Sequence, residues 1–182
     1  MKFAHDTEVA LASAAALVNT VRDGVEQLPD PAALDAFLDD QGFSGSRAGT
    51  PGELEAVRSL RTRVAGVWDT SDEDEIVAVV NGLLAEASAL PRLTKHDHWD
   101  WHLHLTAPDA PLVDRMGTEA AMAIADLVRA RDLARLKRCA GDDCDAVLVD
   151  LSRNRSRRYC DTGNCANRAH VAAYRSRQAQ RA

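Results

Sequence analysis

Four cysteines stand in the last quarter of the chain, in two pairs of identical spacing, Cys139-Ala-Gly-Asp-Asp-Cys144 and Cys160-Asp-Thr-Gly-Asn-Cys165; fifteen residues separate the pairs and the other 178 positions hold no cysteine. No other feature limits the fold so strongly. A segment this short cannot build a core of its own. Two thiolate pairs brought together complete the four-ligand shell of one structural Zn²⁺, which then stands in for that core. Four thiolates leave no position open for water, so the spacing argues against a catalytic zinc. Four intervening residues also differ from the Cys-x-x-Cys of redox motifs. Ordinary buried thiols and a disulfide are the alternative readings.

The charge of the chain divides around these cysteines. Residues 131–182 carry twelve Lys and Arg against six Asp and Glu, whereas residues 1–130 carry ten against twenty-two. An acidic body thus bears a basic, cysteine-containing tail, and the asymmetry turns only the tail toward a polyanion. No run of eighteen apolar residues predicts a membrane-spanning helix, and no partner membrane is expected. The first residues, Met1-Lys2-Phe3-Ala4-His5-Asp6, lack the apolar stretch of a signal peptide. The expectation is a cytoplasmic protein, where thiols stay reduced and available to metal.

Apolar periodicity predicts a mainly α protein of α+β character: a helical N-terminal domain with a small β-hairpin over residues 1–134, then a zinc-stapled β-hairpin and helix over 135–182. Helices are expected from Thr7 to Arg22, from Pro31 to Gly42, after the capping box Thr50-Pro51-Gly52-Glu53, and after Thr70-Ser71-Asp72-Glu73. From His98 to Leu105 the period changes to two. Trp99, Trp101, Leu103 and Leu105 share one face, expected to be the inward one, and His98, Asp100, His102 and His104 share the other. Arg92-Leu93-Thr94 is the expected hairpin partner. A long helix is expected from Leu112 to Lys137, its last turns rich in arginine.

In the tail, Ala146-Val147-Leu148-Val149 reads as a strand returning through Arg157-Arg158-Tyr159, so that a hairpin lies between two cysteine turns and a helix runs from about Asn164 to Gln178. Arg153, Arg155, Arg157 and Arg158 crowd the hairpin; Arg168 and Arg175 project from the helix; Asn154 and Asn167 have the bidentate amide that pairs with a base edge. These eight are the candidate DNA-binding residues. The competing reading is a solvated basic face, or one paired with the acidic body.

Arg158-Tyr159-Cys160 and Cys165-Ala166-Asn167-Arg168, after Asp150-Leu151-Ser152-Arg153-Asn154-Arg155-Ser156, resemble the CGNR-type zinc finger of bacterial proteins, with Ala166 where the glycine of the name stands. The pair Cys139 and Cys144 fits the same pattern. The N-terminal part is similar to the ABATE domain that precedes such fingers, through Leu11 to Leu17-Val18-Asn19-Thr20, Trp101-His102-Leu103-His104 and Pro108-Asp109-Ala110-Pro111-Leu112. The resemblance implies a stress-associated transcriptional regulator that binds double-stranded DNA through the finger, with one structural Zn²⁺ on Cys139, Cys144, Cys160 and Cys165.

His96, His98, His102 and His104 form a second cluster. Residues two apart on a strand point the same way, so this face offers a metal site with Asp100, a small-molecule pocket involving Trp101, His102 and His104, or a polar structural surface. No nucleophile–base pairing stands out, and an enzyme is not expected. The expected function is a DNA-binding regulator whose N-terminal domain senses an effector or mediates association, with a signal that reorients body and finger. The alternative is a zinc-dependent protein-interaction module that docks its basic tail on an acidic partner. A homodimer is expected because paired half-sites multiply specificity.

Overall fold

A computed structural model describes residues 3–95 and 100–179, and among them the chain forms six α-helices and three two-stranded antiparallel hairpins. Helix α1 (His5–Val18) packs its Leu11, Ala14 and Leu17 inward and stops at Asn19. The predicted extension to Arg22 is instead a hairpin of β1 (Val21–Arg22) and β2 (Val25–Glu26), turned by Asp23 and Gly24, both at positive φ. Buried Arg61 clamps this hairpin: its guanidinium donates to both Glu26 carboxylate oxygens and to Thr20 Oγ1.

Three helices start on side-chain caps, two of them at the segments read from the sequence. Helix α2 (Pro31–Asp40) has Asp30 accepting from Ala33 N–H. Helix α3 (Pro51–Ala65) has Thr50 accepting from Glu53 N–H, while the Glu53 carboxylate reaches back to the amides of Ala48 and Gly49. Helix α4 (Glu73–Glu86) has Asp72 accepting from Asp74 N–H. The core lies where α1, α3 and α4 meet α5 (Leu112–Arg129), whose buried face runs through Met116, Ala120, Ala123, Ile124 and Leu127. Alanines at these positions let the helix axes approach closely.

Helix α5 ends eight residues before the predicted Lys137. Arg131 takes φ 52°, its N–H bonds Val128 O at 2.9 Å, and Asp132 N–H bonds Leu127 O at 2.9 Å. This is a Schellman stop with arginine in the place glycine normally takes, so no residue announces it. Leu136–Arg138 then forms β5, paired in register with β6 (Val147–Val149). The hairpin therefore does not lie between the cysteine pairs; Cys139 and Cys144 sit in its turn, and Arg157–Tyr159 forms no strand. The 151–158 segment is polar after Leu151, and two of its amides, those of Ser152 and Arg157, go to a carboxylate described below.

Strand β3 (Arg92–Thr94) pairs with β4 (His102–His104) as expected. The facing holds only in part: Leu105 is buried as expected, but Trp101 is 68 % and Leu103 37 % exposed, while His102 and His104 are half-buried and turn toward the helices. Alternation fixes which residues share a face, not which face turns inward. The expectations at His96, His98 and Trp99 lie outside the described residues. No helix among the described residues is long and apolar enough to cross a membrane.

Val147 and Val149 belong to the same buried cluster as α1, α3 and α5, and Leu148, on the opposite side of the strand, packs with the cysteines. Asn19 joins the two parts like one more ladder residue: its amide donates to Val147 O at 2.9 Å and accepts from Val147 N–H at 2.8 Å. Trp68 Nε1 donates to Leu148 O, Asp23 N–H to Asp145, and Arg138 pairs with Asp69.

Candidate metal centre and nucleic-acid interface

The hairpin turn delivers Cys139 and Cys144; the segment before α6 (Cys165–Ala179) and its first residue deliver Cys160 and Cys165. The two turns are tied directly, since Ala140 N–H donates to Arg158 O at 2.8 Å and Cys160 N–H points at Cys139 Sγ at 3.3 Å. All four sulfurs lie within 4.8 Å of one another, with Cys144–Cys160 and Cys160–Cys165 each at 3.8 Å. A Zn–S bond of about 2.3 Å sets tetrahedral sulfurs about 3.8 Å apart, so the cage has the size of one ZnS₄ unit.

The surroundings fit as well. A Cβ on Gly141 would lie 2.9 Å from Cys165 Sγ, and one on Gly163 would lie 3.0 Å from it. A side chain at Gly141 would force the cage to shift, and one at Gly163 would press on Cys165. Gly141 N–H faces Cys139 Sγ, and the Arg168 guanidinium donates to Cys165 Sγ at 3.0 Å, which raises the Arg168 pKa. Burial pushes the Cys144 thiol up to about 12. At Cys160 burial opposes ionisation too, but the bonds to Thr162, Cys139 and Gly163 N–H outweigh it and bring that thiol down to about 6.

The basic segment that follows β6 is shaped by a residue the sequence reading did not single out. Asp150 is fully buried. Its Oδ1 accepts from the Ser152 amide and hydroxyl, and its Oδ2 accepts from Lys137 Nζ at 2.6 Å and Arg157 N–H at 2.9 Å. Burial works against the charged carboxyl, and these bonds overcome it and hold its pKa at about 2. Lys137 also donates to the carbonyls of Arg155 and Arg157. Beside it, buried Arg135 bonds Asp132 and the carbonyls of Asp150 and Ser152. The one visible signal was a lone acid between a valine run and an arginine run.

The eight predicted DNA contacts fall into two groups. Arg153, Asn154 and Arg175 are exposed and have no side-chain partner among the described residues, and Arg158 is exposed with its guanidinium 5.9 Å from the centre of the Tyr159 ring. The other four also carry internal bonds: Arg155 lies 2.9 Å from buried Asp132, Arg157 pairs with Asp161, Asn167 donates to Asn164 Oδ1, and Arg168 holds Cys165. Helix α6 buries only Cys165; beyond it Val171 and Tyr174 stand exposed.

Among the predicted pocket residues, His102 and His104 line a cavity of about 670 Å³ enclosed by α1, the 41–45 loop, the β3–β4 hairpin and α5, and Trp101 does not.

A family model named ABATE, described as "Putative stress-induced transcription regulator", matches residues 11–131. A model described as CGNR zinc finger matches residues 135–178. A search among curated proteins returns no match. The four cysteines of the finger are placed to bind one zinc ion.

Proposed function

The chain belongs to the ABATE family and ends in a CGNR zinc finger, and from that premise we propose that it is a DNA-binding transcriptional regulator rather than an enzyme. One observation carries the reading: the Asp150-organised loop and α6 both spring from the cysteine cage, and both present arginines to solvent. Zinc supplies the scaffold. Arg153, Arg158 and Arg175 reach phosphates, Asn154 is free to address a base edge, and Arg155, Arg157, Asn167 and Arg168 hold the shape while adding to the positive field. The acidic N-terminal domain senses an effector or mediates association, and a cytoplasmic homodimer supplies paired half-sites.

Affinity for duplex DNA against salt tests this. With about five phosphates engaged, log K falls against log salt with a slope of about −4 to −5. Binding that ignores salt, or no binding by the zinc-loaded chain, removes the reading. Exposed Val171 and Tyr174 on α6 favour a second reading, docking of the basic tail on an acidic protein partner. Arg153→Ala with Arg175→Ala separates the two: a fall in DNA affinity supports the DNA reading, and weaker capture of an acidic partner with DNA affinity unchanged supports docking.

A further inference from the structure

The cavity behind the β3–β4 hairpin is apolar in its body. Helix α1 turns Val9, Ala10 and Ser13 into it, and Phe43 of the 41–45 loop and Met122 of α5 also line it. Positions 9, 10 and 13 share one face of α1, because intervals of three and four residues complete a turn.

The charges on the wall are already matched. Asp126 takes the Thr7 hydroxyl at 2.9 Å and the Arg129 guanidinium at 3.3 Å. Arg115 donates to the carbonyls of Ser44, Ser46 and Ala110, and Glu119 offsets its charge. Asp6 takes the Thr7 N–H. His102 Nδ1 bonds the Asp100 carbonyl at 2.7 Å, and its Nε2 meets His104 Nε2 at 3.0 Å. An ionic ligand would have to displace one of these partners or enter unpaired, and an unpaired charge is costly away from water.

Ser13 stands apart. It is 8 % exposed, and its hydroxyl has no hydrogen-bond partner among the described residues. The buried polar neighbours on the same wall are all bonded: Thr7 to Asp126, Arg115 to its carbonyls, and the Thr118 hydroxyl to Asp114 O at 2.8 Å. Ser13 interrupts the run Ala10-Leu11-Ala12-Ser13-Ala14-Ala15-Ala16, where alanine is the better helix former. A buried hydroxyl left unpaired costs stability, and a ligand oxygen in the cavity removes that cost.

We propose that this cavity binds a neutral, mainly hydrocarbon molecule carrying one carbonyl or hydroxyl group, its chain against Val9, Ala10, Phe43 and Met122 and its oxygen on the Ser13 hydroxyl. The volume of about 670 Å³ lies within the range of small-molecule sites. The proposal rests on the sensing role given above to the N-terminal domain, and it names the class of effector.

Calorimetric titration of the zinc-loaded full chain with 2-octanone, octanoate and octylamine tests the class. 2-Octanone binds at least about tenfold more tightly than either ion, since only the ions lose hydration without gaining a counter-charge. Ser13→Ala weakens 2-octanone about three- to tenfold, the worth of one hydrogen bond. Ala10→Phe, which fills the place of the chain, weakens it at least about tenfold. Thermal melts check that each variant folds; if Ala10→Phe does not, Ser13→Ala decides. Equal or tighter binding of either ion, no binding of 2-octanone, or 2-octanone affinity unchanged in a folded variant overturns the assignment. The sensing role is read separately: 2-octanone shifts DNA affinity at least about threefold through linkage. An unchanged DNA affinity alongside intact 2-octanone binding removes the sensing role and leaves the cavity assignment standing.

Discussion

Asp150 shows what one side chain does for the basic surface. Its two oxygens take four donors from Lys137, Ser152 and Arg157, so the loop that presents Arg153 and Asn154 is held from underneath. Asp150→Asn turns a donor toward Lys137 or Ser152 and leaves the half-buried Lys137 ammonium without its carboxylate, a loss of about 3 kcal/mol, measured by urea unfolding with zinc present. The folded pKa of about 2 lies below the ordinary 3.8, so the stabilisation is complete above the ordinary value and is lost only as pH falls through the folded one. The difference between wild type and Asp150→Asn is therefore flat between about pH 7 and pH 5; a slope in that interval counts against it. Cys160→Ser, by contrast, removes a ligand: bound zinc drops from one per chain to well below one in a metal assay. The cysteines were legible because metal ligation leaves a spacing in the sequence. Asp150 was not, because a single acid shows its partners only after Lys137 and Arg157 have been folded against it.

At the level of elements, legibility followed local signals. Helices α3 and α4 start at the expected segments, on caps by Thr50 and Asp72, and α2 starts on Asp30, since each cap is a bond within a few residues. The end of α5 was missed because the stop uses Arg131 in a left-handed turn, and the Leu136–Arg138 strand after it has too few residues to show a period. The β3–β4 hairpin was found but its facing only in part: Leu105 is buried as expected, whereas Trp101 and Leu103 are exposed and His102 and His104 line a cavity that no local pattern shows. Helix α6 is the element with most left to gain. Its 15 residues bury only Cys165, and an isolated helix of that length is marginal in water. Amide exchange of the free, zinc-loaded protein therefore shows protection in the first turn, over the cage, and rapid exchange beyond about His170. Duplex DNA slows exchange along the rest of the helix. Protection already equal to that of α5 without DNA would assign α6 a partner in the free protein and weaken its place in the DNA interface.

The whole molecule joins its parts more firmly than charge alone suggests. An acidic body and a basic finger invite a hinge, yet the boundary between them is a seam with shared core. Val147 and Val149 are buried with Leu11, Leu17 and Leu127, Asn19 bonds both backbone groups of Val147, and Trp68 bonds Leu148. Helix α1 links the cavity wall to the finger: it lines the cavity through Thr7, Ala10 and Ser13 and ends at Asn19 beside β6. Rigid reorientation would break Asn19–Val147 and expose the two valines. Asn19→Ala tests the seam: it strands a buried N–H and a buried C=O, a loss of about 2 kcal/mol, seen as a lower midpoint in urea. Zinc gives the same test from the other side. Leu148 packs on the cysteines while its neighbours pack in the body, so stripping the metal loosens β6 at both faces. Calorimetry of the zinc-loaded chain gives one unfolding transition; with chelator that transition moves down in temperature as a whole, body included. Two transitions, with the body's unmoved by the chelator, would mean that the finger is an appendage and that the seam carries no coupling.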